Sequence, residues 1–266
     1  MNPFLQWQAL TQHPVYLREK GGWGKPNPYY ETLRRYSPLV IMGVMVLGVC
    51  GAYGNPALFA GDQELMIVWC LMCLPGMALS AMTLFGMLMV PALTAPSVSL
   101  ERTQGTWEIL RMTPLSAKQL VLAKMFGALA RLRLYWWMLF VLSMFQGLVM
   151  ACSTTLASPR YALWGWLFGL GTVVRPWLEI LFAALVGMWS SLGLRSAMMA
   201  LVGSYTAVLL FKFLNNGVVW VALAGLFQLD EAAVILGTLL PTAVYILAIL
   251  ITTAALFRRI KFEDRV

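Results

Sequence analysis

The stretch "SLERTQGTWEILRMTPLSAKQLVLAK", Ser99 to Lys124, is the one long mixed-charge run in the chain, and apolar segments flank it on both sides. It reads in three parts. Leu100–Met112 sets Trp107 and Leu110 three residues apart, flanked by Glu108 and Arg111, which is the spacing of a short amphipathic helix. Gly105 and Thr106 allow that helix an abrupt start. Thr113-Pro114 then breaks it, because proline disfavours helix in the residue before it. Ser116, with Gln119 three residues on, is a capping-box start for the next helix. No breaker follows until past the next apolar run. About 35 residues of continuous helix would span about 52 Å, well beyond the ~30 Å hydrocarbon core. That helix is therefore expected to project from the membrane carrying Lys118, Lys124, Arg131 and Arg133.

Composition places the insertion in a membrane protein. Of the 266 residues, 60% are hydrophobic and 11% charged, and the mean hydropathy is +0.75. Soluble domains lie nearer about one-half apolar and one-quarter charged. No secretory leader is expected, since the first 36 residues are charged and proline-bearing with no apolar stretch ending in small residues. The first span is expected to insert uncleaved.

Six spans are expected: Ser37–Gly54, Leu65–Thr94 with kinks at Pro75 and Pro91, Leu134–Ala151, a broken Tyr161–Leu194 interrupted at "VVRPWLE", Ala197–Leu214, and Ala232–Phe257. Val218–Leu229 is apolar yet too short to cross, so it reads as a re-entrant or interfacial helix. "NPYYETLRRYSP" puts Tyr29, Tyr30, Leu33 and Tyr36 on one side at helical spacing. That is the pattern of an interfacial helix, or of an ordinary aromatic belt beside the first span. The fold class is an all-α integral membrane protein: six transmembrane helices, an N-terminal interfacial helix, a cytoplasmic insertion at residues 95–133 between spans two and three, and a short re-entrant helix between spans five and six. Residues 1–36 form the N-terminal segment, 37–257 the membrane domain and 258–266 the tail.

Basic residues set the orientation. Residues 1–36, the 95–133 insertion and the tail hold fifteen Lys or Arg between them, whereas the three intervening loops hold one, Arg160. Both termini and the insertion are therefore expected on the cytoplasmic side of the cell membrane. The net charge of +8 reads as topology rather than as a footprint for nucleic acid.

A short amphipathic helix held off the membrane by two long helices is a lever, or else a plain cytoplasmic hairpin with no partner. The residues themselves resemble one class of lever. "SLERTQGTWEILRMTPLSAKQLVLAK" is similar to the cytoplasmic signature of type-2 ATP-binding-cassette (ABC) transporter permeases. There a Glu-Arg pair precedes Gly-Thr, an acidic position and a Leu/Ile run, then Thr-Pro-Leu-Ser and a helix reaching a lysine. Glu101, Arg102, Gly105, Thr106, Glu108, Ile109, Leu110, Thr113, Pro114, Leu115, Ser116 and Lys124 fill those places, with Trp107 where the family more often has Leu. "HPVYLREK", His13–Lys20, resembles the family's Pro-Val…Arg-Glu entry segment.

The resemblance implies that the short helix is a coupling helix seated in a groove of a separate P-loop ATPase subunit. Trp107 and Leu110 would be its anchors, and Glu101 and Arg102 would pair with charges near the membrane or on the ATPase. It also implies a second permease subunit, identical or not, and export as the usual direction. ATP and Mg²⁺ would sit on the partner, for no G-x-x-x-x-G-K-[ST] occurs in this chain. No cofactor, metal or catalytic residue is expected here. The alternative is a non-transporting membrane scaffold or assembly protein that retains the fold.

Several other residues admit a structural reading. Arg175 and Glu179 stand four apart and can pair along one helix face. They read either as a polar contact in a substrate path or, as favoured, as a pair at the outer interface where the broken fourth span begins. Lys212 is expected to snorkel to the headgroups. Cys70 and Cys73 form a C-x-x-C within an apolar helix and read as small filler. "GMALSAM" and "GMWSSLG" supply small residues for close helix approach.

Overall fold

The structure, a computed structural model, describes residues 11–22, 31–32, 35–36, 42–43, 63–112, 116–157, 162–194, 196–218 and 232–263. Every regular element among them is helical. In chain order these are α1 (Pro14–Leu17), α2 (Gln63–Thr94), α3 (Pro96–Thr103), α4 (Trp107–Arg111), α5 (Ala117–Ala130), α6 (Arg133–Ala157), α7 (Ala162–Gly193), α8 (Ala197–Phe213) and α9 (Ala232–Glu263). Wider π-type turns follow α1 at Arg18–Gly22 and α8 at Leu214–Val218.

Among the described residues, five helical stretches are long and apolar enough to cross a membrane: Pro75–Thr103, Arg133–Ser153, Gly165–Gly193, Ala197–Gly217 and Leu239–Lys261. The expected first span lies outside the described residues except for a helical 42–43. The expected interfacial helix lies outside the described residues except at 31–32 and 35–36, both helical. The expected re-entrant segment lies outside them except for Val218, which closes a π-type turn.

Local chemistry explains where the helices start and stop. The capping box forms as expected: the Ser116 hydroxyl accepts from the Gln119 amide, and the Gln119 side chain accepts from the Ser116 amide at 3.2 Å. α2 runs through both Pro75 and Pro91 without ending. Four boundaries differ from the sequence reading. The helix begun at Ser116 is not continuous, because a turn at residues 131–132 separates α5 from α6. There the Leu129 carbonyl accepts from both the Leu132 amide at 3.0 Å and the Trp136 indole at 2.8 Å. The indole thus competes for an oxygen that the regular helix would use. The fourth span is not broken, for α7 is one helix of 32 residues with Pro176 inside it; membrane helices tolerate interior proline where neighbours pack around it. The insertion helix expected at Leu100–Met112 is two helices, divided at Gly105, whose φ of 71° only glycine adopts at little cost. The last helix continues past Phe257 to Glu263.

α7 is the hub and packs against α6, α9, α2 and α8. Trp136 of α6 stacks on Trp177 of α7 with ring centres 5.5 Å apart. Gly147 and Gly169 lie where an added Cβ on either would strike the other's carbonyl, so α6 and α7 approach backbone to backbone. Gly187, from "GMWSSLG", leaves room for the Thr94 side chain of α2. Tyr135 and Tyr205 each donate to α2 carbonyls, Met82 and Leu88, both at 2.9 Å. On the other side of α6, Leu134, Trp137, Val141, Phe145 and Leu148 form an exposed stripe at helical spacing. In water such a stripe would be a liability; against lipid it is the expected surface.

Candidate functional site

The signature stretch folds back on the N-terminal segment. α3 continues the line of α2 after a turn at Ala95 and presents Glu101, whose side chain is buried. α5 presents Lys124, whose side chain is completely buried. The Lys124 ammonium lies 2.7 Å from Glu101 and 3.3 Å from Glu19, and donates to the Ser97 carbonyl at 3.2 Å. Arg18 also pairs with Glu101, and lies 3.3 Å from Glu19. Arg131 donates to the Glu19 carbonyl and, at 3.4 Å, to that of Arg18. Three cations thus share two carboxylates, and three segments of chain are tied in one knot. Burial opposes the charge on Arg18, but Glu101 and then Glu19 outweigh it, so its pKa is raised above the ordinary arginine value.

Local sequence lets the segments approach this closely. His13 caps α1 by accepting from the Val15 amide at 3.2 Å. Gly127 on α5 has no side chain where the Tyr16 carbonyl and the Glu19 Cβ press against it. On the other flank, Ser191 of α7 accepts from the amides of Val98 and Ser99 at 2.9 and 3.1 Å. Arg102 donates to the Leu192 carbonyl at 2.9 Å and stands over the Trp107 ring at 5.7 Å. Thr106 closes the turn after Gly105, its amide donating to the Glu101 carbonyl at 3.0 Å.

The signature positions therefore divide. Glu101 and Arg102 are held inside the fold, and Thr106 and Gly105 shape the turn. Trp107 is buried in the main core cluster and Leu110 packs against it, so neither stands free on the surface as an anchor. Glu108 is exposed, and so are Ile109 at 67% and Met112 at 84%. These last two are the apolar side chains that α4 turns outward. Thr113 and Pro114 lie outside the described residues. Sequence spacing alone misses Ile109 and Met112, because in so short a helix either face can be read as the buried one. Arg18 and Glu19 were legible only as part of the entry segment, not as partners of Glu101 and Lys124.

Arg175 and Glu179 do pair, at 3.0 Å along α7. Their setting differs from the favoured reading, since no helix begins beside them and Glu179 lies near the middle of α7. Lys212 does not snorkel outward; it turns in and pairs with the same carboxylate.

Helices alone among the described residues, five of them of membrane length, define a multi-pass α-helical membrane protein. Compared with protein-family models, with curated proteins and with solved structures, the chain matches none.

Proposed function

We propose that this chain is the permease subunit of an ATP-driven transporter of the type-2 ABC class, lying in the cell membrane with both termini cytoplasmic. It works as a pair of permeases with two copies of a separate P-loop ATPase, which carries the ATP and Mg²⁺. Closure of the ATPase pair pushes on the insertion, and the spans move between inward- and outward-facing forms, with export as the direction.

One observation carries the reading. The two stretches that resemble this class, His13–Lys20 and Ser99–Lys124, are ion-paired to each other through Arg18, Glu19, Glu101 and Lys124. A push on α4 is thereby passed to α2, α5 and the N-terminal segment together, rather than absorbed by a loose hairpin. The docking surface is then Ile109 and Met112 with Glu108 beside them, since exposed apolar side chains that fill a partner's pocket dominate interface energy.

Purification of the tagged full chain from its native membranes tests this. A co-purifying P-loop ATPase, lost on Ile109→Asp, supports the permease. Purification without any ATPase, together with no stimulation of ATP hydrolysis by the chain, contradicts it and favours the scaffold.

A further inference from the structure

A second set of charges gathers away from the insertion, where α7, α8 and α9 meet. Arg175 donates to Glu179 at 3.0 Å and also to the Asn216 side chain. Lys212 pairs with the other oxygen of Glu179, and beyond that, among the described residues, it reaches the Met87 thioether at 3.5 Å, a weak acceptor. Two cations share one carboxylate, so among the described residues the cluster carries an excess of one positive charge.

Its depth is fixed by the helices. Glu179 stands fourteen residues before Gly193, and Lys212 fifteen after Ala197. At 1.5 Å per residue both lie about 21–23 Å from the end that α7 and α8 share. That distance is shorter than the ~30 Å thickness of a hydrocarbon core. The Glu179 side chain is 4% exposed, but Arg175 and Lys212 each keep 24% of theirs exposed. Charged side chains at membrane depth face the bundle interior or a watery cavity, not lipid tails.

The neighbouring polar groups are also incomplete. Tyr245 of α9 is fully buried, with its ring against Phe182 and Phe211, and its hydroxyl has no hydrogen-bond partner among the described residues. Phe182 lies three residues after Glu179, and Phe211 directly precedes Lys212. Asn215 donates to the Pro241 carbonyl at 3.0 Å, and its own oxygen has no partner among the described residues. Unused donors on Arg175, Lys212 and Tyr245, together with the surplus charge, suit an incoming group rich in acceptors.

We propose that the exposed side of Arg175 and Lys212 lines a polar path through the membrane and binds an anionic group, a carboxylate or phosphate, on the molecule that passes. This rests on the transporter reading, but its test does not need the ATPase.

The full chain with its four native cysteines replaced receives Asn216→Cys and is placed in nanodiscs of zwitterionic lipid. It is then treated with membrane-impermeant thiosulfonates of either charge. The anionic sulfonate reagent is expected to label at least about tenfold faster than the trimethylammonium one. Lys212→Gln abolishes that bias and Lys212→Arg keeps it, which separates lost charge from lost folding. No labelling by either reagent, or equal rates for both, overturns the proposal. So does protection that appears only with anionic lipid in the discs, which assigns the anion to a headgroup. If ATPase association fails while the labelling bias holds, the coupling is wrong and the path stands.

Discussion

Lys124 is the best-buried charge in the described chain, and its ammonium lies 2.7 Å from the Glu101 carboxylate. Twenty-three positions separate them, and a five-residue helix with two turns lies between. Removing Lys124 leaves the buried Glu101 with Arg18 alone, and removing Glu101 leaves the buried Lys124 with Glu19 alone; breaking a buried pair costs up to about 3–5 kcal/mol. Lys124→Met should therefore lower the thermal midpoint of the purified protein sharply. The double variant Lys124→Met/Glu101→Gln should lose less than the sum of the two single losses. Additive losses would show that the pair is not coupled.

Gly127 keeps the N-terminal segment seated. A branched side chain there meets the Tyr16 carbonyl, and overpacking of this kind costs about 1–3 kcal/mol, or about five- to hundredfold in the local opening equilibrium. Gly127→Val should speed tryptic cleavage after Arg18 and Lys20 by such a factor while α7 stays protected. An unchanged cleavage rate would place the segment elsewhere.

Ser116 starts α5 through a reciprocal cap. Ser116→Ala removes it at a cost of about 1 kcal/mol, and hydrogen exchange should rise in the first turn of α5 and not in α7. Uniform protection would mean the cap contributes nothing there.

Trp107 and Ile109 stand two residues apart and should fail differently. Trp107 is buried, so Trp107→Ala should destabilise the fold by about 3–5 kcal/mol. Ile109→Asp should leave the thermal midpoint unchanged and abolish ATPase association. The reverse pattern would mean that Trp107, not Ile109, faces the partner.

Much of the helical layout was legible because its signals are local. The Ser116–Gln119 cap, the break before it and the long α2 follow from residues within one turn of each other. The turn at residues 131–132 was not legible, since no proline or glycine marks it. It depends on the Trp136 side chain reaching back to the Leu129 carbonyl. The continuity of α7 through Pro176 was misread for a related reason: proline's local preference is overruled when α6, α8 and α9 pack around it. The charged partners were the least legible. Glu179 and Arg175 are four apart and visible as a pair, but Lys212 joins them from another helix 33 positions away. Likewise Glu101 is conspicuous as part of Glu-Arg, yet nothing local shows that Arg18 and Lys124 converge on it from opposite sides.

Whether α4 touches an ATPase is decided by a crosslink at its exposed face. With the native cysteines replaced, Ile109→Cys carrying a photoactivatable thiol reagent in native membranes should yield a single protein adduct. Its mass-spectrometric peptides should contain a G-x-x-x-x-G-K-[ST] loop elsewhere in the same polypeptide, and Glu108 peptides should share the crosslink site. Adducts with lipid alone, or a cysteine reached only from the extracellular side, would contradict the docking of this turn onto an ATPase.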